Sequence, residues 1–229
     1  MSGKLRVLSL FAGIGGFDLG LERTGGFETA AFCEIDPFCR RVLAKHWPEV
    51  PCYHDIRKLT GKQLSADGIR VDAICGGFPC QDLSRAAHAG SGLAGARSGL
   101  WREYARLVRE LEPRIVIVEN VSALCGDGLG EVVADLAEIG FRVEWDCIPA
   151  SAVGAPHPRD RVWIMAYTAE VFGQEQLRDE PRRILSPDGL LSFVYDQGRS
   201  HGFASWRAAE PRVARGAHGV PNRVDRLER

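Results

Sequence analysis

Cys80 ends the stretch Gly76-Gly77-Phe78-Pro79-Cys80, which follows the apolar run Val71-Asp72-Ala73-Ile74-Cys75. Two glycines and a proline after such a run mark a buried strand that closes in a tight loop. A thiol held there has the chemistry of a nucleophile, since a thiolate adds to an electron-poor centre and later leaves. Taken alone, a small buried hydrophobe is the simpler reading of a cysteine. Glu119 follows Ile115-Val116-Ile117-Val118, a β-branched run typical of a strand buried on both faces. A carboxylate in that place is costly unless it is solvated, paired or functional, and its function would be to hold or move a proton. Arg159 and Arg161 stand two apart on what reads as extended chain, so both point to one face. Two guanidiniums together suit an anion, a carboxylate or a base edge; a solvated edge is the plain alternative. His157, between two prolines, reads as a rigid loop residue.

A second group of residues has the character of a ligand site. Phe11-Ala12-Gly13-Ile14-Gly15-Gly16 lies between a strand-like segment and an amphipathic helix, Phe17 to Arg23. Glycines in such a turn let backbone N–H groups approach a ligand at the helix N-terminus. The spacing is not that of the GxGxxG dinucleotide turn, and a plain tight turn stays equally open. Glu34 ends the next strand, about 20 residues after the glycines, where nucleotide-binding sheets place an acid that accepts from ribose hydroxyls. Asp55 ends a short third strand, Tyr53-His54-Asp55-Ile56, and is either an acceptor for an exocyclic amine or a capping residue.

Alternating elements have to position these groups. Strands are expected at 4–10, 27–34, 53–56, 71–75, 115–121, 142–149 and 161–167, and helices at 17–23, 36–46, 100–111 and 127–139. Asp36 is a candidate N-cap with Pro37 in its first turn, and Gly140 ends the last helix. This pattern predicts an α/β fold with a doubly wound, mostly parallel, Rossmann-like sheet. In an open sheet of that kind the strand ends converge on one crevice, so Cys80, Glu119, the arginines, the glycine turn, Glu34 and Asp55 are expected to meet there. Residues 88–99 hold Gly90, Gly92, Gly95 and Gly99 among small side chains and read as a lid or surface loop. Beyond Tyr167 the chain turns loop-like and Arg-rich, with too few apolar residues for a large core.

The bulk composition narrows the classes. The 229 residues suit one domain or slightly more, with a net charge of −1. Residues 1–167 carry 21 acidic and 19 basic side chains; residues 168–229 carry nine and ten, every basic one an Arg. Contact with nucleic acid is neither required nor excluded by that balance and would rest on local arginines. Seven cysteines without CxxC spacing argue for reduced thiols and against a structural zinc or a disulfide framework. No run is long and apolar enough for a membrane span, and no signal peptide precedes the first strand, so a cytoplasmic protein without metal is expected.

Over residues 5–167 these motifs resemble the cytosine-C5 DNA methyltransferases, in order and spacing. FAGIGGFDLGL at Phe11–Leu21 is similar to the family's cofactor loop, GGFPCQDLS at Gly76–Ser84 to its nucleophile motif, VENV at Val118–Val121 to its catalytic glutamate motif, and RDR at Arg159–Arg161 to its paired arginines. GVPNRVDRLER at Gly219–Arg229 resembles the segment that follows target recognition in short phage-type members. The resemblance implies S-adenosyl-L-methionine as cofactor and a flipped cytosine of double-stranded DNA as substrate. It implies catalytic roles for Cys80, Glu119, Arg159 and Arg161. It implies cofactor contacts from Phe11, Ala12, Gly13, Ile14, Gly15, Gly16, Glu34, Ile35, Asp55, Ile56 and Pro79, and DNA contacts from Gln81, Ser84, Arg97, Arg223 and Arg226.

It also implies a catalytic domain at 1–167, a small target-recognition region at 168–218, and the start of a returning segment at 219–229, in a monomeric protein of bacterial or phage origin. The family's closing Gly-Asn motif has no match here. A complementary C-terminal fragment is one expectation that follows; a homologue that binds cofactor or DNA without turnover is the other. A cysteine hydrolase would need His88 or His157 as base and leaves the glycine turn and Glu34 without a purpose.

Overall fold

The structure, a computed structural model, describes residues 3–79, 99–126 and 128–172. Seven strands form one sheet in the order β3-β2-β1-β4-β5-β7-β6. They are β1 (Leu5–Leu10), β2 (Phe27–Cys33), β3 (Cys52–Tyr53), β4 (Ala73–Gly76), β5 (Ile115–Val121), β6 (Arg142–Pro149) and β7 (Asp160–Tyr167). The first five run parallel. β7 runs antiparallel to both β5 and β6. The helices are α1 (Gly16–Arg23), α2 (Pro37–His46), α3 (Gly61–Ala66), α4 (Gly99–Leu111), α5 (Leu129–Glu138) and α6 (Ala169–Phe172). None of the described helices is long and apolar enough to cross a membrane.

The two-residue period of a strand divides the core between the faces of the sheet. Leu8, Leu10, Ile74, Val116 and Val118 look to one side, where Trp101, Tyr104, Leu107 and Val108 of α4 and Val132 and Leu136 of α5 cover them. Val7, Ala73, Cys75, Ile115, Ile117 and Met165 look to the other, beneath Phe17 and Leu21 of α1. On α4 the buried residues fall at Trp101, Tyr104, Ala105, Leu107 and Val108, the spacing of one helical face. The second face also buries Ser9 and Asp18, each 1% exposed. The Ser9 hydroxyl donates to Asp18 Oδ2 at 2.9 Å. Burial pushes the Asp18 carboxyl up to about 6.

The doubly wound expectation agrees with this sheet, and the differences are local. The third strand is Cys52–Tyr53, and His54 to Ile56 already belong to a turn. β4 starts at Ala73 and runs through Gly76, which no larger residue could replace: a Cβ there would collide with the Leu10 carbonyl. α3 was not expected. Its Thr60 cap accepts from Gln63 N at 3.1 Å, and the Thr-x-x-Gln spacing was a readable start signal. α5 starts at Leu129, with Gly128 as its cap; Asp127 lies outside the described residues. β7 begins one residue early, at Asp160, and Arg159 before it has φ +37°. The extended chain expected through Arg159 is therefore absent, and the same-face argument for Arg159 and Arg161 fails with it.

Candidate active site

The sheet order reverses between β1 and β4, so the loops leaving their C-terminal ends diverge and open a crevice. On the β1 side the chain turns through left-handed backbone at Phe11, Gly13 and Gly15, with φ of 54°, 56° and 85°. Phe11 N and Ala12 N both donate to the Cys33 carbonyl, at 2.8 and 3.4 Å. Trp47 packs against Gly15 so closely that a Cβ would lie 2.5 Å from its ring. Glu34 is 8% exposed and takes main-chain donors on both oxygens: Gly13 N on Oε2 and Asp36 N on Oε1, each at 2.7 Å. Asp36 in turn caps α2, accepting from Phe38 N and Cys39 N. Ile14 and Ile35, beside the two residues that this hydrogen bond joins, leave 58% and 61% of their surface open. An acid fixed at the turn and two exposed isoleucines beside it fit a ligand that is part polar and part apolar, while Gly13 N and Gly15 N are already spent on Glu34 and the Ala12 carbonyl.

At the Asp55 turn the carboxylate takes the capping place, one of its two expected roles. Arg57 donates to both carboxylate oxygens through Nε and Nη2, and its main-chain N–H donates to Oδ1. These bonds hold the Asp55 carboxyl below the usual carboxylate range. Ile56 is 4% exposed and belongs to the core, so a ligand would meet its main chain rather than its side chain. Arg106 of α4 braces this turn: Nη2 donates to the carbonyls of Ile56 and Leu59, both at 2.9 Å.

On the β4 side, Gly77 lies against Glu119 of β5. A Cβ on Gly77 would sit 2.6 Å from Glu119 Oε2. Phe78 is 3% exposed and packs on Trp101, with ring centroids 5.4 Å apart. The buried Asn120 donates from Nδ2 to the Phe78 carbonyl at 3.0 Å, and Val121 N donates to its Oδ1 at 2.9 Å. Pro79 is exposed at the end of this loop. Glu119 pairs with Trp163 of β7, which makes Arg161 its diagonal neighbour on the same face. Arg161 Nε meets Glu119 Oε1 at 2.7 Å, with 24% and 27% of the two side chains exposed. Arg159 is exposed and makes no ion pair among the described residues.

The structure thus groups Gly76 to Pro79 with Glu119 and Arg161, and Phe11 to Gly16 with Glu34. Cys80, Gln81, Ser84, Arg97, Arg223 and Arg226 lie outside the described residues, as does the glycine-rich stretch before Gly99. Sequence reasoning gave no role to Asn120, which pins the loop before Cys80, or to Arg106 and Trp47. Asn120 had one signal, an amide directly after the acid. The other two carried none: besides its helix partners Glu103 and Glu110, Arg106 reaches main-chain carbonyls of a remote turn, and Trp47 packs on Gly15 and donates to the remote Glu22. Among the described residues no cluster of His, Cys, Asp or Glu could hold a metal ion.

Comparison with known proteins bears on the class. The model of the family C-5 cytosine-specific DNA methylase matches residues 5–184, and the chain belongs to that family. The type II methyltransferase M2.BsuMI of Bacillus subtilis is 34% identical over 212 residues, covering 87% of this chain and 51% of its own. The orphan methyltransferase M.SPRI of Bacillus phage SPR is 31% identical over 181 residues, covering 76% and 40%. The solved structure of a mutant DNMT2 from Spodoptera frugiperda shares the fold with a TM-score of 0.63 at 20% identity, covering 81% of this chain and 56% of that one. The chain thus spans about half the length of the curated relatives it matches.

Proposed function

We propose that this chain carries the catalytic machinery of a DNA cytosine-C5 methyltransferase, with Cys80 as nucleophile and Glu119 as the group that handles the proton of the base. The observation that carries the reading is the approach of Gly77, three residues before Cys80, to the Glu119 carboxylate. Only a residue without a side chain lets the end of β4 come that near.

C5 of cytosine is a poor nucleophile because its ring is aromatic. Addition of the Cys80 thiolate to C6 forms the S–C6 bond and pushes electron density to C5. Glu119 shares a proton with N3 so that charge does not build up on the ring. Arg161 orients that carboxylate through its ion pair. S-adenosylmethionine, when bound, supplies the methyl group that C5 receives. Loss of the C5 proton and breaking of the S–C6 bond then restore the ring and the thiolate. The reacting atoms are closed off inside a duplex, so the cytosine has to leave the stack.

The residues of the β1 side fit that cofactor. Glu34, whose oxygens each have a second lone pair, would accept from ribose hydroxyls; Phe11 to Gly16, Ile35 and the Asp55–Ile56 turn would line the remaining approach, with Pro79 meeting it from the β4 side. For DNA, the reading assigns Gln81, Ser84, Arg97, Arg223 and Arg226; Arg159, exposed and without an ion pair among the described residues, keeps its expected place with Arg161 among the catalytic groups. It keeps the division into a catalytic part at 1–167, recognition at 168–218 and a returning segment at 219–229.

The test is transfer of label from methyl-labelled S-adenosylmethionine to duplex DNA of mixed sequence, with cofactor binding measured on the same protein. Label on C5 of cytosine is the expected result. Binding of cofactor with no transfer, even with the C-terminal part of a relative added in trans, would overturn the catalytic reading in favour of binding without turnover.

A further inference from the structure

Two thiols outside the crevice meet where β5 leaves the sheet. Cys125 ends the 3₁₀ turn Ser122–Cys125, six residues beyond Glu119, and Cys147 lies in β6. Their Sγ atoms are 3.4 Å apart. A disulfide requires about 2.05 Å, so the sulfurs need to close by only about 1.4 Å. Cys125 ends a short turn on the surface, a place where a chain moves that far at little cost. The other described cysteines, Cys33, Cys39, Cys52 and Cys75, make no sulfur–sulfur contact among the described residues.

The pair is also asymmetric. Cys125 is exposed, whereas Cys147 is half-buried. Burial, and then the neighbouring Cys125 thiol, push the Cys147 thiol up. A dissolved oxidant therefore meets Cys125 first, with Cys147 waiting behind it.

We propose that Cys125 and Cys147 form an oxidation site, a dithiol that a hydroperoxide converts to an intramolecular disulfide. The Cys125 thiolate attacks the outer peroxide oxygen; an S–O bond forms, the O–O bond breaks, and an alcohol or water leaves. The Cys147 sulfur then attacks the Cys125 sulfenic acid, forming the S–S bond and expelling the oxygen as water. Two electrons pass from the dithiol to the peroxide. A small dithiol returns both thiols by exchange. The bridge ties the turn that follows Glu119 to the edge strand of the antiparallel unit.

Treatment of the full chain with hydrogen peroxide, alkylation of the remaining thiols and digestion with trypsin tests this. Cleavage after Arg114, Arg142 and Arg159 places the two cysteines in separate peptides, 115–142 and 143–159, with no other cysteine in either. The expected product is these two peptides joined, with two of the seven thiols protected from alkylation and recovered after reduction. The joined product is expected to vanish in Cys125→Ser and in Cys147→Ser, and to persist in Cys80→Ser. Peroxide that oxidises other thiols without joining these peptides would overturn the proposal, and so would Cys125 bridged to Cys80. The readout is the thiols, so it is independent of whether methyl transfer is found.

Discussion

Glu34 and Glu119 lie on opposite sides of the β1–β4 reversal, and the sheet treats them differently. Glu34 is 8% exposed and both of its oxygens are taken by main-chain N–H groups, so it cannot shift without breaking the turn that holds it. Glu119 keeps 27% of its side chain exposed, rests one oxygen on Arg161 and turns the other toward the bare backbone of Gly77. The first acid is a brace. The second is tied to a single flexible side chain and opens onto the loop before Cys80. Two carboxylates at strand ends look alike in a sequence; what their oxygens bond to separates a braced carboxylate from one left partly open.

The sharpest test of that contrast is Glu119→Gln. Methyl transfer in a single turnover is expected to fall by about 10²–10⁴-fold, the usual worth of a positioned proton-transfer group. Thermal unfolding should barely change, and a large loss of stability would erase the distinction from Glu34. A third acid gives the next largest effect. Asp18 is buried with Oδ1 unpartnered, and its carboxyl is raised from 3.8 to about 6. The stability supplied by its protonated form is complete below about pH 3.8 and is lost as pH rises through about 6. That loss is on the order of 3 kcal/mol at most. Asp18→Asn is therefore expected to stabilise the protein at pH 7 and to flatten its urea-unfolding profile between pH 4 and 7. An unchanged profile would show that Asp18 is not the group responsible.

Glu34→Gln replaces one acceptor with an N–H₂ that faces a main-chain donor. A cost of about 1–3 kcal/mol in urea unfolding is expected from the donor left unsatisfied. Weaker cofactor binding, at least tenfold by calorimetry, should accompany it, because the glycine turn loses its anchor. An intact fold with unchanged affinity would remove Glu34 from its role as brace. Arg161→Met is the smallest in stability, about 1 kcal/mol or less for a partly exposed pair. Its larger effect belongs to catalysis, through a Glu119 carboxylate no longer held.

Most of the fold was legible because its signals are local. β5 follows from an apolar run after Pro113 and Arg114, β2 from an apolar-rich segment after Gly26, β6 from alternating charged and apolar residues after Gly140, and α2 from Asp36 and Pro37. The direction of β7 was not legible, since antiparallel pairing is decided by strands remote in the chain. Arg159 misled for a related reason: a residue next to a strand has its direction set by its own φ, and here that φ is positive. In the candidate site the residue types were readable and their partners were not. That Glu34 is filled by Gly13 and Asp36, or that Asn120 holds the Phe78 carbonyl, depends on main-chain directions that only the fold supplies.

Attack of Cys80 on C6 of cytosine is the step on which the proposed function turns. Duplex DNA of mixed sequence containing 5-fluorocytosine, incubated with the protein and S-adenosylmethionine, measures this directly, because fluorine at C5 blocks the final elimination and traps the S–C6 bond. A covalent protein–DNA species that survives denaturation with wild type, maps to Cys80 and is absent with Cys80→Ser is the expected result. An adduct that persists in Cys80→Ser would contradict it.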